Sequence, residues 1–140
     1  MKPEATYPDP ERATLELLET LIGPHEPDVT VSTGVPTSWT ASSDPHLQVV
    51  WDGTPTLQHP SLAHCTVRIV ARATSTTEAK RLAWLAHGLL CAHRGTGTVR
   101  VVLPLIGVVP ARDPDTQAEL AAFTVRVTVR SEPIPDPDTS

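Results

Sequence analysis

The side chains best equipped for chemistry gather late in the middle of the chain. His87 and Cys91 stand four residues apart, with His93 two further on. On a helix, that i,i+4 spacing can put two ligands on one metal ion. A closed zinc site needs four ligands, and His25, His46, His59 and His64 are scattered over loops and strand starts at no metal-binding spacing. The sequence therefore assigns no metal. Covalent catalysis has no better support. A serine or cysteine nucleophile needs a histidine and an orienting acid around it. G-x-S-x-G is absent, and Cys65 and Cys91 fall where packing explains them. Gly95-Thr96-Gly97 reads as a turn, without the lysine and spacing of a phosphate loop. Carboxylates cluster along Glu11–Glu19 and in the chain ends, which gives no paired acid and base. No catalytic residue or cofactor is assigned, and the reading points away from an enzyme.

The arginines carry a clearer pattern. Arg68, Arg72, Arg100, Arg126 and Arg130 all fall on expected strands and alternate opposite the apolar residues. The segments 64–73, 98–103 and 121–130 contain no Asp or Glu. Such a face is either an ordinary solvated sheet surface or an intersubunit surface or channel lining, because arginine forms planar, bidentate ion pairs. Acidic partners exist in the same chain at Asp113, Asp115 and Glu119. Arg68, Arg72, Arg126, Arg130, Asp113 and Asp115 are thus the candidate subunit-interface residues, with the acids of one copy reaching the arginines of the next.

The elements that must position these groups are legible from periodicity. Residues 64–73 alternate, with Cys65, Val67, Ile69, Ala71 and Ala73 on one face. Ser75-Thr76-Thr77-Glu78 offers a capping box. Ala79, Leu82, Ala83, Ala86, Leu89 and Leu90 then recur at helical spacing, to an end near His93 with Arg94-Gly95. An earlier helix should start at Asp9 as N-cap with Pro10 in its first turn, bury Leu17, Leu18, Leu21 and Ile22, and stop at Gly23-Pro24. Further strands are expected at Asp28–Ser32, His46–Trp51, Thr98–Leu103 and Ala122–Arg130, with a turn at Asp52–Pro55 and a long loop over Pro104–Glu119. None of the 15 prolines lies between Ser61 and Leu103, so the central folded unit sits there.

The order α-β-β-β-α-β-β predicts an α+β fold: a mostly antiparallel five-stranded sheet with two helices on one face. At 140 residues the chain fits one domain, over 1–131, followed by a disordered tail over 132–140 with three prolines. The charge of −5 does not suit a general nucleic-acid binder. Its longest apolar runs are too short to span a bilayer, and MKPEATYPDPER lacks a signal-peptide core, so synthesis in the cytoplasm is expected. Two cysteines suggest no disulfide framework.

Several segments resemble the tail terminator (tail completion) proteins of long-tailed phages infecting actinobacteria. They are DPERATLELLETLIG, VTVSTGVP, LQVVWDGTP, VRIVARATSTTEAKRLAWLAHGLL, ARDPDTQAE and FTVRVTVR, spread through residues 9–131. The resemblance implies a non-enzymatic virion protein at the head–tail junction, made in the host cytoplasm. It implies a homo-oligomeric ring, a hexamer, on the last ring of the tail tube. That ring would end tube polymerisation and dock the head–tail connector protein, with genomic DNA passing through its lumen without sequence-specific binding. Alternatives are a neck component of the same virion and, from another class, a small cellular ligand-binding α+β domain.

Overall fold

A computed structural model describes residues 5–35, 39–40, 44–53, 56–58, 62–95, 97–113 and 118–134. In chain order the elements are β1 (Ala5–Thr6), α1 (Pro10–Ile22), β2 (Thr30–Ser32), β3 (His46–Trp51), β4 (Thr56–Gln58), β5 (Leu62–Arg72), α2 (Thr76–Cys91), β6 (Val99–Arg112), β7 (Glu119–Arg130) and β8 (Glu132–Pro133). The expected α+β architecture is present: two helices pack on a mostly antiparallel sheet.

Both helices start where their caps dictate. The Asp9 carboxylate accepts the Glu11 N–H at 2.9 Å, and Pro10 takes the first helical position, where its missing N–H costs nothing. The Ser75 hydroxyl accepts the Glu78 N–H at 3.2 Å, while the Glu78 carboxylate goes to Arg81. The buried face of α1 is turned slightly from the expected stripe. Leu15, Leu18 and Ile22 are buried together with Thr14, whose hydroxyl donates to the Pro10 carbonyl at 2.7 Å. Leu17 and Leu21 are half-buried along a shallow groove beside His93 and Val99. Gly23 stays right-handed at φ −50°, so the helix stops at Pro24 and not at a left-handed glycine.

The main sheet has the order β2-β3-β5-β7-β6, with β4 also pairing β5. Among the described residues, only β2–β3 is parallel. The three-residue β4, just after the expected Asp52–Pro55 turn, extends the row that β3 makes along β5: β3 covers Val67–Arg72 and β4 covers Leu62–His64. Toward the helices, Val67, Ile69, Phe123, Val125 and Val127 join Leu82, Ala83, Ala86 and Leu90 in one core cluster. Leu89, expected in the α2 stripe, is half-buried against that cluster.

The largest correction concerns Pro104–Glu119. This segment is mostly strand: β6 continues to Arg112 and pairs with β7 down to Glu119. The prolines survive because β6 is the sheet's last strand, and an edge strand can spare an N–H. Register shifts at Val99/Val101, Pro104/Ile106 and Ile106/Val109 absorb the mismatch. The hairpin closes with the Asp113 N–H on the Ala118 carbonyl at 3.0 Å, and residues 114–117 lie outside the described residues. Residues Glu132–Pro133, read as tail, pair with Ala5–Thr6, whereas 135–140 lie outside the described set.

Candidate interaction surface

The sheet face turned away from the helices carries the arginines. Alternation along β5 puts His64, Thr66, Arg68, Val70 and Arg72 there; along β7 it puts Leu120, Ala122, Thr124, Arg126, Thr128 and Arg130 there. Arg68, Arg126 and Arg130 are exposed, as is Arg100 on β6. Arg130 donates to the Gly95 carbonyl at 3.1 Å, so its head group is directed at the turn between α2 and β6.

Arg72 differs from the others. It is only 7% exposed, donates to Gln48 Oε1 at 2.8 Å and lies 3.8 Å from the Asp113 carboxylate of the same chain. Burial pulls its pKa down, and the nearby Asp113 charge opposes that. Two residues proposed to meet across a subunit boundary therefore meet inside one subunit. Asp115 lies outside the described residues. Glu119, the other acid of the hairpin, accepts from Thr76 Oγ1 at 2.8 Å and from Arg112 at 2.7 Å. Those bonds, the threonine's first, hold its carboxyl below the usual range and tie the hairpin base to the start of α2.

The groups screened for chemistry are engaged in packing. The His87 ring stands edge-on to both Trp84 (5.5 Å between centroids) and Phe123 (5.1 Å). Its Nε2 lies 4.0 Å from Cys91 Sγ. His93 Nε2 bonds the Val99 carbonyl at 2.9 Å. Among the described residues, no three potential ligands converge on a point. Burial raises the pKa of both Cys65 and Cys91, against what a nucleophilic thiolate requires.

His46 is fully buried, which its place at the start of an expected strand did not reveal. Its Nδ1 meets Thr30 Oγ1 at 2.7 Å, and its Nε2 meets both Ser32 Oγ and the Gly34 carbonyl at 3.1 Å. A carbonyl only accepts, so Nε2 carries the proton and Nδ1 accepts from Thr30. The ring thereby holds β2 and the turn after it against β3.

The surface that sequence reasoning missed is apolar. On β6, Leu105, Ile106 and Val109 are 54%, 55% and 53% exposed, and Leu103 is exposed beside them. Trp84, on the outer side of α2, is exposed too, and its ring end lies close to Gly107. A signal was present in the run VVLPLIGVVP, which has too many adjacent large hydrophobes for a solvated loop. Trp84 likewise breaks the polar side of an otherwise amphipathic helix.

This arrangement of elements has a counterpart among solved structures. The chain superposes on one from the "Virion of native gene transfer agent (GTA) particle" with a TM-score of 0.50, covering 86% of this chain and 91% of that chain. The fold occurs in a virion. Sequence identity over the match is 16%, so the likeness is one of architecture. No family model matches the chain, and no curated protein matches it. No helix is long and apolar enough to cross a membrane among the described residues.

Proposed function

We propose that the chain is a virion structural protein without enzymatic activity: a tail terminator that closes into a homo-oligomeric ring, a hexamer, on the end of the tail tube. The ring ends tube polymerisation, docks the head–tail connector protein, and lets genomic DNA pass through its lumen without reading its sequence. The observation carrying this reading is the fold match to a virion chain, which runs almost end to end on both chains. The phage-tail resemblance of residues 9–131 adds to it, as does the exposed apolar strand of a protein otherwise built to pack.

On this reading the open sheet face contributes Arg68, Arg126 and Arg130 to the intersubunit surface, all exposed. Arg72 and Asp113 serve it indirectly, by fixing the hairpin to the sheet. A neck component of the same virion is the second reading, since a likeness of fold to a virion chain does not by itself distinguish positions within the particle.

Electron microscopy of the purified protein mixed with tail tubes tests the proposal. Rings seated on tube ends are expected, and tubes left uncapped while the protein binds the connector alone would move the assignment to the neck. Arg126→Glu with Arg130→Glu should give a folded protein that sediments as a smaller species. An unchanged oligomer at physiological salt would remove the arginine face from the interface.

A further inference from the structure

Two exposed apolar patches lie at opposite edges of the sheet. The β6 patch is largely on the arginine-bearing face, where Leu103, Ile106 and Val109 stand opposite Arg126, Thr124 and Ala122, and Trp51 is on the helix-bearing face with Val67. The register runs Trp51 on β3, Val67 on β5, Val125 on β7 and Pro104 on β6. Three strand spacings separate the ends, about 14 Å. At one end are the side chains of Leu103, Leu105, Ile106 and Val109. At the other, exposed Trp51 borders a groove of about 260 Å³ lined by Tyr7, Pro8, Pro10 and Ala63. Trp51 is held there by two bonds: its N–H donates to Glu11 at 2.9 Å and its indole N–H to the Gly53 carbonyl at 2.7 Å. Because β2 pairs only with His46–Gln48, the Val49–Trp51 end of β3 has no outer strand among the described residues.

The charges around the patches differ in sign. Exposed Arg126 stands opposite Leu103 and exposed Arg100 precedes it on β6, whereas exposed Asp9 and Asp52 flank the Trp51 groove.

From this pairing of shape and charge we propose that the occupant of the β6 patch is a second copy of the chain, through its Trp51 groove. The contact is head-to-tail. A two-fold contact of β6 with β6 would bring two patches of like charge together, each flanked by Arg100 and Arg126, and leave every Trp51 groove open. A heterologous contact instead uses both patches of every copy, and closes into a ring if the rotation per step allows. The proposal rests on the ring reading above and names the surfaces that build it.

Cysteine crosslinking separates the two ideas. Ile106→Cys and Asp52→Cys, combined in one chain and treated with a short bismaleimide, should yield a ladder of dimers, trimers and higher species. Each single variant should remain uncrosslinked, like the parent with its native Cys65 and Cys91. Dimers from Ile106→Cys in a chain whose groove-lining Cys65 is replaced by alanine would overturn the proposal in favour of β6 against β6. Absence of a ladder at the highest soluble concentration and in assembled particles would overturn it outright. Leu105→Glu with Ile106→Glu alters only exposed side chains, so the melting temperature should hold while self-association weakens by about 30-fold or more; unchanged sedimentation would refute the contact. A ladder from protein that never caps tubes would sink the terminator reading alone. Capped tubes without a ladder would sink this contact alone.

Discussion

Leu82→Ala and Trp84→Ala, two positions apart on α2, should behave in opposite proportion to their size. Leu82 is 1% exposed, in the cluster that holds Phe123, Val125 and Val127. Trimming it removes three carbons, each contributing about 0.8 kcal/mol of transfer free energy, so about 2.4 kcal/mol is lost before any void is counted. The cavity left between helix and sheet adds about another 1 kcal/mol, within the overall range of about 2–5. For a chain of this length each kcal/mol lowers the melting temperature by about 3 °C, so a fall of about 10 °C is expected. Trp84 is much larger but 53% exposed. Its loss should cost no more than about 1 kcal/mol, or about 3 °C. Thermal melts followed by circular dichroism, with urea unfolding to check that the m-value is unchanged, make the comparison. Equal shifts, or a larger one for Trp84, would mean that α2 presents a different face to the sheet.

Burial lowers the pKa of His46 below its ordinary 6.5. The unfolded chain therefore binds its proton first, and stability present above about pH 6.5 should decline as pH falls below it; His46→Gln should flatten that slope in urea titrations between about pH 7 and 5.5. Asp113→Asn leaves the buried Arg72 guanidinium with Gln48 as its neutral partner and should cost about 1–3 kcal/mol in chemical denaturation, part of it recovered when Arg72→Leu is added. At Gly95, φ is +76° and an added Cβ would lie 2.6 Å from the Arg100 carbonyl oxygen, so Gly95→Ala should lower stability by about 2 kcal/mol or more. Gly97→Ala meets open space at φ +81° and should cost only about 1 kcal/mol by the same melt.

Local signals carried much of the fold into the sequence. Asp9 and Ser75 mark their helix starts because capping involves residues only two or three apart, and β3, β5 and β7 alternate because each has one face on the core. What stayed hidden depends on partners distant along the chain. Pro104, Gly107 and Pro110 read as strand breakers, since nothing in their neighbourhood says that β6 lies at an edge. Arg72 and Arg68 occupy equivalent positions in an alternating strand, and only the fold brings Asp113 and Gln48 to one of them. The arginine surface was readable as a face; the apolar patch beside it required knowing that VVLPLIGVVP is extended.

The two prolines of β6 also bear on how far assembly can run. A long, apolar terminal strand is the usual template for unlimited growth, since any extended peptide can zip onto its free N–H and C=O groups and offer the same row to the next. Pro104 and Pro110 have no N–H to give, so that row is interrupted near both ends of the exposed stretch, and the bulges between them bend what is left. An incoming backbone finds no continuous ladder to copy. Only a surface shaped for these particular side chains gains from approaching, which disfavours fibrils while leaving a finite, stoichiometric partner free to bind.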